Sequence, residues 1–236
     1  MKDYEDHAKQ LYNQIQNVWP DNRWYNYTHN NIVSFIDKHK NLFTDESTTI
    51  NAGSGGSVYD LRGAMYHVDI AENLISGLPN AVVASIESLP FEDKTFDSAI
   101  CVGSVINYCS ALTGLSELSR VLKPKSFIIL EYERSQTGEL FFSDKYNKSS
   151  IFQQYTYNNQ PEHNLWLYSD KYINNILAEN GYRIVDNIYF HSISAIVNRF
   201  IDNEDTSGKY CFIDNILLSA LRKISAHNRI LLCERD

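Results

Sequence analysis

From Thr48 onward the chain alternates short β-like runs with helix-like ones, and this alternation constrains the fold more than anything else in its 236 residues. "TTIN" leads into a glycine turn, and "MYHVDI" (65–70), "AVVAS" (81–85), "FDSAICV" (96–102), "SFIILEYE" (126–133), "YRIVDNIYF" (182–190) and "NRILLCE" (228–234) read as further strands. Between them "SVYDLRG", closed by Gly63, "AENLIS", "ALTGLSELSRVL" and "SDKYINNILAENG" read as helices, as do residues 194–202 and 212–226. Ser169 is placed to cap the last quoted helix and Gly181 to stop it. Such an order predicts an α/β fold, a mostly parallel sheet covered by helices on both faces. Ahead of it, residues 3–17 and 28–41 carry apolar residues at helical spacing, with Pro20 breaking the first helix and Thr28 capping the second.

Three of the ten glycines fall within Gly53–Gly56, at the end of the first strand. In an open α/β sheet, ligands bind beyond the carboxyl ends of the strands, where the order reverses. A glycine turn there lets a ligand lie against the backbone. The dinucleotide pattern GxGxxG is met by Gly53 and Gly55 but broken by Val58, and no Gly-Lys-Ser/Thr phosphate loop follows. A ligand without phosphates needs only the close approach and an acid for its ribose hydroxyls. Asp69, ending the second strand, is read either as that acid or as the cap of the helix it precedes.

Composition removes other classes. Net charge is −8, with no cluster of Lys and Arg, which argues against a nucleic-acid partner. No apolar run approaches the roughly 20 residues that span a bilayer, and "MKDYEDHAKQ" is no secretory signal. The four cysteines and seven histidines show no metal-ligand spacing, so no metal site is expected and a cytoplasmic location is.

"NAGSGGS", "YHVDI", "SIESLPFEDKTFDSAICVGSVINY" and "LSELSRVLKPKSFIILEYE" stand in an order and at spacings that resemble class I S-adenosylmethionine-dependent methyltransferases. The resemblance implies a Rossmann-like fold with a seven-stranded sheet, divided as an N-terminal helical cover (1–47) and a cofactor-binding domain (48–236) with an aromatic insert (134–168). It implies S-adenosyl-L-methionine as cofactor. Gly53, Ser54 and Gly55 would line its methionyl part and ribose, Asp69 would bind the ribose hydroxyls, and Ile70 would pack on the adenine. Ser85 and Ile86 would meet the adenine edge, and Cys101 and Gly103 would lie under the methionyl group. Asn51 stands where the family usually has an acid for the cofactor's ammonium, Ser85 where an Asp often sits, and Ser57 where a third glycine does.

Methyl transfer is an in-line displacement that rests mainly on positioning, and a base is needed only if the acceptor must lose a proton. No Asn-Pro-Pro-Tyr-like motif follows "FDSAICV", which with the acidic charge points to a small-molecule acceptor. Trp24, Tyr25, Tyr27, Tyr155, Tyr157 and Trp166 are candidates for an aromatic lid, with core packing as the other reading. His191 is the first candidate base and Tyr25 the second catalytic candidate, ahead of His163 and His29. Asn107 and Tyr108 follow the fourth strand toward the reaction centre. Glu131 and Glu133 end a buried strand, where they either face the sulfonium and acceptor or simply pair with Lys or Arg. The alternatives to a small-molecule enzyme are a non-catalytic module of the same fold, a protein or RNA methyltransferase, and a nucleotide-dependent oxidoreductase. Oligomeric state is not legible.

Overall fold

A computed structural model describes residues 2–15, 17–155 and 163–235. Two helices come first, α1 (Lys2–Tyr12) and α2 (Arg23–Lys38). The second begins five residues ahead of Thr28, because the Asn22 side chain accepts from Tyr25 N at 2.9 Å and serves as its cap. Thr28 lies buried inside the helix instead.

The strands β1 (Thr48–Ala52), β2 (Ala64–Asp69), β3 (Ala81–Val83), β4 (Phe96–Cys101) and β5 (Leu122–Glu133) follow, with α3 (Glu72–Ile75) before β3 and α4 (Ala111–Val121) before β5. A two-stranded hairpin, β6 (Ser150–Tyr155) and β7 (His163–Tyr168), fills part of the aromatic insert. Then come α5 (Asp170–Glu179), β8 (Tyr182–Phe190), α6 (Ile193–Ile201), α7 (Glu204–Gly208), α8 (Ser219–Ser225) and β9 (Asn228–Arg235).

Seven strands form one sheet in the order β3-β2-β1-β4-β5-β9-β8. The first five are mutually parallel, and β9 runs antiparallel to both neighbours. The order reverses between β1 and β4, so their carboxyl ends open the cleft of a doubly wound fold. Alternation along the strands sends successive side chains to opposite faces. On one face Ala99, Cys101, Ile128 and Leu130 share a core with Leu115 and Leu118 of α4 and with Ile173, Ile176 and Leu177 of α5. On the other face Ile100, Ile129, Ile230 and Leu232 meet Ile32, Phe35 and Ile36 of α2.

One predicted helix is absent. Residues 57–61, expected to be helical as part of "SVYDLRG", run as an irregular crossover from the glycine turn to β2. Tyr59 and Leu61 pack there against the core that α2 shares with the sheet. The loop is instead pinned from below, where Asn51 Nδ2 donates to Ser57 O at 3.0 Å.

Candidate functional site

A cavity of about 330 Å³ opens over the carboxyl ends of the strands. Gly53, Ser54, Gly55, Asp69, Ile70, Ser85, Ile86 and Gly103 line it on the β2-β1-β4 side. The glycine turn takes left-handed backbone, with φ of +69° at Gly53, +54° at Gly55 and +81° at Gly56. A Cβ on Gly53 would stand 2.3 Å from Val105, and one on Gly55 would stand 3.0 Å from Val18. Backbone conformation and the chain's own packing therefore both require glycine here.

Asp69 holds this turn. Its Oδ2 accepts from Gly55 N at 2.7 Å and its Oδ1 from Ala71 N at 2.9 Å. Burial pushes its carboxyl upward, against the pull of these N–H groups. A carboxylate has about four lone-pair sites, so two backbone partners leave capacity for two hydroxyl donors. The turn after β4 is held in a similar way. Fully buried Glu131 accepts from Gly103 N at 2.9 Å, Ser104 N at 2.7 Å and Asn228 Nδ2 at 2.7 Å. Burial raises this carboxyl to about 7, the donors notwithstanding.

Over β5 and β9 the same cavity forms a polar chamber. Glu133 ends β5, Glu139 sits on a short 3-10 turn (Gly138–Leu140), Glu204 starts α7, and His227 and Asn228 enter β9. His227 Nε2 lies 3.2 Å from Glu133, and its Nδ1 lies 3.7 Å from Glu139. Burial alone would lower the imidazole, but the charges of Glu139 and Glu133 outweigh it and raise it to about 9. Tyr12, Tyr25, Tyr108 and Tyr155 complete the wall. Burial, reinforced at Tyr25 by the charge of Glu204, pushes the Tyr25 phenol well above its ordinary value.

The comparisons with known proteins agree with this geometry. Residues 49–130 match a family model described as a methyltransferase domain. Over that segment the chain is similar to methyltransferase domains. Its fold is similar to that of geranyl diphosphate C-methyltransferase from Streptomyces coelicolor A3(2), with TM-score 0.61 at 11% identity over 99% of this chain and 98% of that one. It is also similar to 1,6-didemethyltoxoflavin-N1-methyltransferase from Burkholderia thailandensis, with TM-score 0.56 at 12% identity over 98% and 86% of the two chains. An uncharacterized protein of Methanocaldococcus jannaschii is 34% identical over 85 residues, which are 34% of this chain and 34% of that protein. The chain thus matches about a third of the length of its curated relatives.

The fold brings most of the cofactor residues expected from the sequence to the cavity wall and leaves two away from it. Asn51 is buried beneath the turn as the brace to Ser57, and Cys101 is enclosed in the α4 core, where burial raises its thiol. Among the catalytic candidates, Tyr25 lines the cavity and His191 does not. His191 is fully buried, stacked on Trp24 at 3.8 Å between ring centroids, with Nε2 2.8 Å from Thr28 Oγ1 and Nδ1 2.9 Å from Ser194 Oγ. Burial holds it well below its ordinary value, so it is a neutral core histidine.

Of the proposed lid, Trp24 and Tyr155 line the cavity, whereas Tyr27 and Trp166 pack into the cores and Tyr157 lies outside the described residues. His29 packs against Trp19, and the His163 side chain is likewise outside what is described. Asn107 is a brace, donating to Glu133 O at 2.9 Å and accepting from Glu133 N at 3.0 Å. Sequence reasoning missed His227, Asn228, Glu139 and Glu204. The visible signal was "AHNRI" at the mouth of the last strand, whose register sets Asn228 opposite Glu133.

Proposed function

We propose that this chain transfers the methyl group of S-adenosylmethionine to a small-molecule acceptor. The carrying observation is the continuity of one cavity from the glycine turn and Asp69 to the polar chamber at Glu133 and His227. The residues at the first end fit an adenosyl group. Asp69 keeps lone pairs for the ribose hydroxyls, Ile70 and Ile86 offer apolar contact for adenine, and the Ser85 hydroxyl retains its proton for donation while accepting from Glu87 N. Gly53, Gly55 and Gly103 line the part of the cavity that would take the methionyl group. When bound, the cofactor supplies a methyl group on a positively charged sulfur.

The chain's own contribution is positioning and enclosure. The N-terminal segment roofs the cavity, with Trp19 Nε1 donating to Ser57 Oγ at 3.2 Å and Asn73 Nδ2 donating to Ile15 O at 3.0 Å. A roofed chamber of this size favours a small acceptor over a macromolecule.

Calorimetric titration with S-adenosylmethionine and S-adenosylhomocysteine tests this reading, with micromolar binding expected. Asp69→Ala should weaken S-adenosylhomocysteine at least tenfold and, by stranding the Gly55 and Ala71 N–H groups, cost about 1–3 kcal/mol in urea unfolding. Absence of binding by the wild-type protein, checked for carried-over ligand, would overturn the proposal.

A further inference from the structure

We propose that the face built by the end of α6, the segment after α7 and α8 pairs with a second copy of this chain. The observation is a concentration of large apolar side chains left in water. Phe142 is 102% exposed, Phe200 and Ile216 80%, Leu218 72% and Phe212 67%. An aromatic side chain presents about 200 Å² when free, so the three phenylalanines alone expose on the order of 500 Å². Ile216 and Leu218, with Leu221 and Ile224 each about half exposed, bring the total to roughly 700–800 Å². A monomer's largest apolar patch is about 300–600 Å², whereas each partner of a stable complex gives up about 800 Å².

These residues stand on adjoining elements. The 3-10 segment Cys211–Ile216 buries Cys211 and Asp214, three apart, and so turns Phe212 and Ile216 to solvent. Asp214 fixes that segment to the head of α6 by accepting from Ser192 N at 2.8 Å and Ile193 N at 3.0 Å. The chain then runs directly into α8, where Leu221 and Ile224 are again three apart. Tyr146 Oη donates to Ile224 O at 2.6 Å, and its ring centroid lies 5.4 Å from that of Phe141. Arg199 donates to Phe141 O, which sets Phe142 beside the end of α6, where Phe200 stands.

The charge pattern selects the occupant. Between Tyr210 and Leu221 the only charged residue is Asp214, and it is buried. Exposed charges of both signs flank this stretch and its neighbours, Arg199, Lys209 and Lys223 with Asp144 and Asp202. An apolar centre without charge inside a charged rim is the layout of a protein interface. A two-fold axis sets such a patch on its own copy, so that rim cations of one chain can meet rim acids of the other. A bilayer surface calls for a predominantly basic face, and this chain carries a net charge of −8. The pairing also bears on the chamber, because Asn198 of α6 donates from Nδ2 to Glu139 Oε1 at 3.1 Å. A second copy would cover the exposed end of the helix that holds Glu139.

The test is sedimentation velocity on the full chain at concentrations from about 1 to about 100 µM. Twice the chain mass is expected, either throughout or with rising concentration. Ile216→Asp and, separately, Leu218→Asp should raise the dissociation constant at least tenfold, with thermal unfolding confirming that each variant folds. Leu112→Asp, at an exposed apolar residue of α4 outside the patch, should leave the dimer as it is. A monomer over the whole range overturns the inference, and so does a dimer that both patch variants leave intact. A monomer that co-sediments with phosphatidylcholine–phosphatidylserine vesicles, and loses this in the same variants, overturns it in favour of a lipid surface. None of these readouts involves S-adenosylmethionine, so the inference stands apart from the methyl-transfer reading.

Discussion

At the scale of single residues, the two buried histidines beside Trp24 differ by the groups around them. His191 has hydroxyls and a tryptophan face for neighbours, so burial leaves it neutral. His227 has Glu133 and Glu139, so it stays charged to about pH 9. Nothing in the one-dimensional pattern separates them, since both stand beside strand ends. The carboxylates that decide the matter come from residues 133 and 139, far away in sequence. The difference has a measurable consequence. A folded-state value raised from 6.5 to about 9 contributes stability that is complete below pH 6.5 and fades as pH climbs through 9. The loss is on the order of 3 kcal/mol. Glu131 contributes a slope of the same sign, but only between its ordinary value of 4.5 and about 7. Urea unfolding between pH 7 and 8.5 should therefore show stability falling with pH in the wild type and a flatter profile in His227→Gln. Identical slopes would mean that His227 is not held by the glutamates.

At the scale of elements, most strands and the long helices were legible because their periodicity is strong and their caps are local. Ser169 does accept from Tyr172 N at 3.2 Å, and β8 spans Tyr182–Phe190 as expected. The helix expected at "SVYDLRG" was not legible as a loop, because Tyr59 and Leu61 pack into a core built from α2 and strands distant in sequence. The short α7 was also hidden, and its placement bears on the site. Gly208 brings α7 against the start of α2, where an added Cβ would stand 2.7 Å from Arg23 Cβ and from Trp24 N. Asp205 fastens the same contact by accepting from Arg23 N at 3.0 Å. Gly208→Ala should push the two helices apart and move Glu204 and Trp24 away from the chamber. Acceptor binding should fall several-fold, while S-adenosylhomocysteine affinity, set at the far end of the cavity, changes less. Equal losses for both ligands would show that α7 supports the whole cleft rather than the chamber.

At the scale of the whole molecule, the end of β5 joins the site to the scaffold. Its side chains alternate, Glu131 beneath the Gly103 turn and Glu133 in the chamber, with Tyr132 and Arg134 directed to the opposite side. Arg134 is fully buried. Its Nε and Nη2 donate to the two oxygens of Asp170 at 2.8 and 2.9 Å, and Nη1 donates to Ala226 O at 2.7 Å. Asp170 starts α5 and also accepts from Tyr132 OH at 2.8 Å, so β5, α5 and the chain entering β9 meet at one ion pair. Burial would raise the Asp170 carboxyl, but the charge of Arg134 prevails and lowers it. Taking out one partner of such a pair leaves a buried charge behind, whereas replacing both with apolar groups does not. Arg134→Met should therefore cost about 3–5 kcal/mol in urea unfolding at neutral pH. Adding Asp170→Leu in that background should recover part of the loss, although Tyr132 and Arg229 would then lack their carboxylate partner. A loss below about 1 kcal/mol for the single variant, the range of an exposed ion pair, would show that water reaches Asp170 and that this junction does not hold Glu133 in place.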